Sequence, residues 1–322
     1  MLDKKISLLS IVAFFLLVLC SPLIYIVYDL YYLGDLQHYN RVYEVISGSG
    51  NLSEQYLRYT IILAGYEVIH FLLIAIASEF IPKQIFFTLI NILFLFIGAA
   101  AVSKHTSKPF WLILIVFVSN FYIHILLFPA ERLKFGFIFL FMALFFNKNF
   151  YYKYIFVILS ILSHFSMLGI YVALLIEPTL RTSKRLILSG NIPIIIFPFM
   201  VLILLGSIFF AVPISIKIFG YYNNYGNIFN AIPLTLLFIL SYFHATRERK
   251  SLLLILLFFI FLSVIVGGFR INFFGIFFWQ LHYLKYENIR SIPFILVFFY
   301  CFYKLFDFYN KVILYGDGFA AF

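Results

Sequence analysis

The sequence is poor in charged residues and in cysteine. Asp, Glu, Lys and Arg make up only 11% of its 322 residues, whereas a soluble domain carries about 25%. Its two cysteines, Cys20 and Cys301, both lie in apolar runs, so nothing indicates a disulfide framework. No metal-ligand spacing, nucleotide-binding loop, GxSxG motif or CxxC motif occurs. These absences exclude an ordinary soluble enzyme and give no reason to expect a cofactor or a metal.

Hydrophobic residues instead make up 64% of the chain, and aromatic residues 22%. Apolar runs of about 18 residues or more recur along its length, and each is long enough to cross a hydrocarbon layer about 30 Å thick. The sequence therefore predicts an all-α fold, a polytopic integral membrane helical bundle. We expect a single membrane domain over residues 1–322, with roughly 9–11 membrane helices and some re-entrant segments.

The net charge of +10 indicates topology rather than nucleic-acid binding, because the basic residues lie in short loops. Lys4 and Lys5 place the start of the first run in the cytoplasm, and residues 6–28 read as an uncleaved first span. Residues 29–59, which are acidic and rich in tyrosine, are predicted to be an outer amphipathic loop. Residues 213–227 are predicted to be an outer aromatic loop.

Counting spans gives a conflict in the first half of the chain. If every apolar run crossed, Lys104 would lie outside and Arg132 inside, which reverses the rule that basic loops are cytoplasmic. We therefore predict that residues 60–81 re-enter or lie at the interface, since polar groups at membrane depth are tolerated only inside protein or against water. Residues 110–128 are expected to form one span. Residues 154–176 are polar in their middle, and we expect a break there.

Two arginines are candidates for binding an anion. Arg132 and Arg270 share the predicted outer face, and each begins a helix, where free amide groups and the helix dipole favour negative charge. Arginine also binds phosphate through two parallel hydrogen bonds. The pair would suit a pyrophosphate. The alternative is that Arg132 pairs with Glu131 and anchors the interface.

Three further residues are candidates for acid–base chemistry. His164 lies inside an apolar run, where a histidine is either an internal hydrogen-bond partner or a functional group facing a cavity. Glu67 and His70 are three residues apart and so share a helical face, as a proton-handling pair or as a buried hydrogen bond. Asp35 lies in a polar segment, where a carboxylate is also unremarkable.

At these residues the sequence resembles the EpsG/Wzy-like family of O-antigen, capsule and exopolysaccharide polymerases. The resemblance covers about residues 30–285 and rests on the order of several short motifs. They are Gly34-Asp35 with Tyr39, Gly65-Tyr66-Glu67, Arg132 at a helix start, Ser163-His164-Phe165-Ser166, the tyrosines Tyr221 to Tyr225, and Arg270 after a glycine pair.

The resemblance implies a glycosyltransferase of the bacterial inner membrane that joins oligosaccharide repeat units carried on undecaprenyl pyrophosphate at the periplasmic face. It implies no metal and no cofactor, and its partners would be the lipid-linked oligosaccharide, a flippase and a chain-length regulator. Arg132 and Arg270 would bind the pyrophosphate. His164 would be the first candidate for the general base, and Asp35 or Glu67 the second.

Outer-loop tyrosines could contact sugar faces in such an enzyme, or simply anchor the membrane interface. These tyrosines are Tyr39, Tyr66, Tyr221 and Tyr225. Two other classes of protein stay open. Buried Glu67, His70 and His164 would also suit a lipid-linked oligosaccharide flippase or another proton-coupled transporter. A membrane acyltransferase that modifies surface glycans is the third.

Overall fold

The computed structural model describes residues 11, 15, 17–47, 50–146, 148–176 and 227–320, with the side chains of Phe269 and Arg270 left out. Within these ranges the chain is helical and contains no strand, which confirms the all-α fold class. The tyrosines Tyr221 and Tyr225 and most of the predicted loop 213–227 lie outside the described residues.

The described helices on each side of residues 177–226 follow one another with short connections. In chain order they are α1 (Ser21–Leu30), α2 (Asp35–Ser47), α3 (Leu52–Leu63), α4 (Val68–Phe80), α5 (Lys83–Thr106), α6 (Phe110–Val118), α7 (Phe121–Leu127), α8 (Glu131–Phe145), α9 (Phe150–Ser163), α10 (Met167–Ile176), α11 (Ile232–His244), α12 (Arg249–Val266), α13 (Gly268–Tyr286) and α14 (Ile292–Tyr315). A single 3-10 turn, Ile228–Ala231, precedes α11.

Several of these helices are long and apolar enough to span a membrane. Helices α5, α12 and α14 meet this criterion singly. Three successive pairs meet it together but are bent at the junction, by 95° between α1 and α2, 115° between α3 and α4, and 80° between α6 and α7. The protein is therefore a multi-pass membrane protein. The expected total of membrane helices stays a prediction, because residues 177–226 are outside the described part.

Helix breaks occur in residues 154–176, where a break is predicted, and in residues 60–81, which are predicted to re-enter or lie at the interface. Helix α3 ends at Leu63 and α4 begins at Val68, and the polar segment between them contains Glu67. Helix α9 ends at Ser163, and His164 takes an extended backbone conformation, with φ −162° and ψ 121°. In both places a polar side chain follows the end of an apolar helix, which fits irregular backbone that is enclosed by protein.

The run 110–128, expected to be one continuous span, is interrupted at Ser119 and Asn120. The Asn120 side chain accepts the Tyr122 amide at 2.9 Å and so caps α7. The His124 ring nitrogen Nε2 lies 2.8 Å from the Val118 carbonyl oxygen, at the end of α6. These two side chains provide hydrogen bonds for backbone groups at the break, and this makes the interruption tolerable inside the bundle.

The chain forms two compact units. The first unit comprises residues 1–168 and 295–322, and the second comprises residues 169–294. In the first unit α5 and α8 run parallel. Lys83 and Glu131 form an ion pair of 2.9 Å where both helices begin, and Lys104 Nζ donates to the Phe145 carbonyl at 2.6 Å where both end. Lys104 and Arg132 therefore lie at opposite ends of this unit, as the basic-loop rule requires.

The C-terminal tail packs against the segment that precedes Asp35. The Gly316 carbonyl accepts the amides of Tyr32 and Leu33 at 3.1 and 2.9 Å. The Asp317 carboxylate accepts the Tyr31 hydroxyl at 3.0 Å. Burial beside Asp317 raises the pKa of Tyr31. The start of α2 and the end of the chain consequently share one end of the first unit.

The second unit contains α11, α12 and α13. Trp279 Nε1 donates to Ser241 Oγ at 2.8 Å, so that α13 is tied to α11 inside the unit. At one connection the Glu287 carboxylate accepts the amides of Thr246 and Arg247 at 2.6 and 2.9 Å. The backbone of Arg270 lies in the first turn of α13.

Candidate functional site

The centre of the candidate site is an ion pair between Arg132 and Glu67. Arg132 Nη1 donates to Glu67 Oε2 at 2.9 Å, and Arg132 Nε donates to the Tyr39 hydroxyl at 3.2 Å. The exposed fractions of the two charged side chains are 12% and 3%. The alternative pairing of Arg132 with Glu131 is wrong, because the Glu131 carboxylate pairs with Lys83 and accepts a hydrogen bond from Tyr28.

The connection between α3 and α4 brings Glu67 to this position. Ala64 ends α3 in the left-handed conformation, with φ 46° and ψ 41°, and the chain then turns through Gly65. A Cβ at Gly65 would overlap both Glu67 Oε2 and Arg132 Nη1. Any side chain at residue 65 would force the ends of the Glu67 and Arg132 side chains to move. The sequence Gly65-Tyr66-Glu67 is thus explained by the geometry of this turn.

The Arg132 guanidinium keeps donors to spare. Its Nη2 makes no hydrogen bond to the described residues, and the side chain remains partly exposed. The guanidinium carbon lies 5.9 Å from the centre of the Tyr39 ring, a favourable cation–π distance. Arg132 is also in the first turn of α8, where amide groups have no acceptor within the helix. An anion could therefore bind here through the side chain and the helix start together.

His70 and Tyr59 form a second pair next to the ion pair. The Tyr59 hydroxyl lies 2.9 Å from His70 Nδ1, and the histidine is fully buried. Its ring packs against Tyr39 and Phe135, and its Nε2 has no hydrogen-bond partner among the residues that the structure describes. Glu67 and His70 do not pair with each other. Each has another partner, so the proton-handling pair suggested by their spacing is not present.

A buried network of hydrogen bonds adjoins the site at Glu131, the residue directly before Arg132. The fully buried Glu131 accepts from the Tyr28 hydroxyl at 2.6 Å and from Lys83 Nζ at 2.9 Å, through the same oxygen, Oε1. Lys83 also donates to Asn40 Oδ1 at 2.7 Å. The network joins α1, α2, α5 and α8, and it fixes the start of the helix that carries Arg132.

Lys134 lies one turn further along α8 and is also fully buried. Its Nζ donates to the Leu127 carbonyl at 2.7 Å and lies 4.8 Å from the centre of the Phe87 ring. Sequence reasoning missed Lys134 and Lys83 as buried cations. The available signal was the spacing of Glu131 and Lys134, three residues apart at the start of an apolar helix.

Other predicted site residues lie in the same unit. Asp35 is exposed at the first position of α2, four residues before Tyr39 and so on the same helical face. His164 follows α9, and its Nδ1 lies 2.7 Å from Ser166 Oγ. Tyr66 is exposed.

The structure therefore brings Tyr39 and Glu67 into direct contact with Arg132. Arg270 belongs to the second unit and its side chain is not described, so a shared pyrophosphate site with Arg132 stays a prediction. Among the residues that the structure describes, no three His, Cys, Asp or Glu side chains are arranged to hold a metal.

Comparison of the sequence and the fold with known proteins identifies no similar protein. No family model matches the sequence, and no match was found among curated proteins or solved structures. The resemblance to the EpsG/Wzy-like family consequently stays a prediction based on the motifs alone.

Proposed function

We propose that the protein is a polysaccharide polymerase that joins undecaprenyl-pyrophosphate-linked oligosaccharide units, with Arg132 binding the pyrophosphate. The observation that supports this most is the environment of Arg132. Its guanidinium lies at a helix start, keeps Nη2 free among the described residues, and is partly exposed beside Tyr39 and Glu67. Phosphate groups favour such a combination of arginine and helix N-terminus.

The chemistry needs a stabilised leaving group and a base. The acceptor hydroxyl attacks the anomeric carbon of the donor sugar while the bond from that carbon to the pyrophosphate oxygen breaks. The electron pair leaves with the pyrophosphate, whose growing charge Arg132 offsets, and Arg270 is the proposed second cation. The hydroxyl proton passes to a base, with His164 as the first candidate and Asp35 or Glu67 as the second.

Genetic complementation tests this proposal. A strain that lacks the gene would receive Arg132→Ala or Arg270→Ala, and its surface glycan would be separated on a gel. We expect single repeat units in place of a ladder for both variants. Arg58→Ala is the matched control, because Arg58 forms an exposed pair with Glu54 at 2.6 Å on a neighbouring helix. An unchanged ladder in Arg132→Ala at normal protein level would contradict the proposal.

Proton-coupled transport of a lipid-linked oligosaccharide is the second candidate. It is favoured by the charged side chains Lys83, Glu131 and Lys134, which are at most 8% exposed, because ionisable residues inside a membrane domain often carry protons or substrates. The same experiment separates the two functions: loss of even single units from the surface would support transport. A persistent ladder without its acetyl groups would instead support an acyltransferase.

A further inference from the structure

The Arg132 guanidinium is paired with an internal carboxylate. The Glu67 carboxylate bonds to Nη1 at 2.9 Å and is almost fully buried. In a bilayer, a partly exposed arginine at a membrane-helix start faces a large excess of phospholipid, and an anionic headgroup such as phosphatidylglycerol carries a single negative charge. Without a competitor, such headgroups would occupy the guanidinium.

We propose that Glu67 is a specificity-determining residue. Its carboxylate prevents singly charged headgroups from binding Arg132, and a lipid diphosphate displaces it. This inference rests on the proposed function, since it concerns the substrate class of the same site. It assigns Glu67 a role different from that of a general base.

The turn from α3 to α4 keeps the carboxylate in place. Gly65 lies against both members of the ion pair, and Ala64 holds the backbone in a left-handed conformation that is unusual for alanine. Because Glu67 is fixed next to Arg132 by the fold, it competes as an intramolecular ligand, and a lipid phosphate that binds Nη1 as well as Nη2 must displace it. Glu67 is also the N-cap residue of α4, at the end of a short connection between two sharply bent helices.

Charge explains why the competition selects a diphosphate. A singly charged headgroup that replaces the carboxylate exchanges one negative charge for another and adds the cost of moving Glu67. A diphosphate brings more than one negative charge and enough oxygens to reach Nη2 and the first-turn amides of α8 as well. Discrimination by an internal group that disfavours the wrong partner is a common source of specificity.

Lipid binding by the purified full-length protein tests the inference. Native mass spectrometry in detergent would measure the binding of phosphatidylglycerol, a prenyl monophosphate and a prenyl diphosphate. Binding of inorganic pyrophosphate would show whether the lipid tail is needed. We expect the wild type to prefer the diphosphate. Glu67→Gln should bind phosphatidylglycerol about tenfold more tightly, which is about 1.4 kcal/mol, and the preference for the diphosphate should fall.

Two variants make the result specific. Glu54→Gln removes the carboxylate of the exposed Glu54–Arg58 pair and should change nothing. Glu67→Asp keeps the charge but shortens the side chain, so it should give an intermediate gain in phosphatidylglycerol binding. A thermal melt of each variant establishes that it is folded.

Two outcomes would overturn the inference, and a third would overturn the proposed function. Equal phosphatidylglycerol binding in wild type and Glu67→Gln would show that the carboxylate excludes nothing. Loss of diphosphate binding in Glu67→Gln would show that Glu67 helps to bind the substrate. Absence of any diphosphate binding to wild type would instead contradict the proposed function. In that case, tighter phosphatidylglycerol binding by Glu67→Gln than by wild type would still show that Glu67 excludes headgroups.

Discussion

The buried ion pair between Lys83 and Glu131 offers a sharp test of the structure. Lys83→Met keeps a long unbranched side chain and removes the charge. Glu131 would then remain buried with the Tyr28 hydroxyl as its partner, because its second oxygen, Oε2, already has no hydrogen bond. The side-chain exposures are 9% and 0%, so water cannot replace the lost cation.

The expected cost follows from this uncompensated charge. Removing one partner of a buried ion pair destabilises a protein by about 3–5 kcal/mol. The double variant Lys83→Met with Glu131→Gln removes both charges of this ion pair and leaves Lys134 in place, and we expect it to recover most of that loss. A remaining deficit of about 1–3 kcal/mol would reflect polar groups of Tyr28 and Asn40 that are left without good partners.

Unfolding by titration with SDS, followed by circular dichroism, would measure the free energy differences in one detergent. Lys311→Met is the matched control, because Lys311 pairs with Asp307 at 3.0 Å with exposures of 20% and 39%. Surface pairs of this kind contribute about 0–1 kcal/mol. The reasoning is refuted if Lys83→Met costs no more than Lys311→Met, or if the double variant is less stable than Lys83→Met alone.

Three further predictions concern single positions. Gly65→Ala should reduce polymer formation, but less than Arg132→Ala does, because the new methyl group forces the ends of the Glu67 and Arg132 side chains to move; a glycan gel would detect this. Asn91→Leu should stabilise the protein by about 1–3 kcal/mol in the SDS titration, because both polar atoms of the fully buried Asn91 amide lack partners; a loss of stability would contradict this. In a background without native cysteines, Tyr32→Cys should react with an impermeant thiol reagent from outside and Lys104→Cys should not; labelling of Lys104→Cys from outside would reverse the orientation.

The fold class and one of the three helix breaks could be read from the sequence. The break after Ser163 was visible because polar residues interrupt an apolar run. For residues 60–81 the sequence indicated a re-entrant or interfacial segment, but not that a helix ends at Leu63. The break at Ser119 was not visible, because two small polar residues inside a run do not by themselves end a membrane helix. The cap by Asn120 and the contact of His124 with Val118 exist only in the folded chain.

The partners of Glu131 and Arg132 could not be predicted from the sequence. Glu131 and Arg132 are neighbours in sequence, so a local pair between them was a natural expectation. Successive residues on a helix point about 100° apart, and the two side chains consequently enter different networks, one with Lys83 and one with Glu67. Motif order could suggest that Tyr39, Glu67 and Arg132 belong together, but the choice of partner depends on how four helices pack.

The directions of the helices connect this site to the membrane. The ion pair of Lys83 with Glu131 and the contact of Lys104 with Phe145 fix α5 and α8 as parallel, so the chain between them must return to the end at which it started. That return is made by α6 and α7, despite the break between them. The basic residues Lys104 and Lys108 then lie at the end of the unit opposite to Arg132. The C-terminal tail, which contacts Tyr31 through Asp317, lies at the same end of the unit as Asp35. Because basic loops face the cytoplasm, the Arg132 site is expected to open on the opposite face, where lipid-linked sugars would have to be joined.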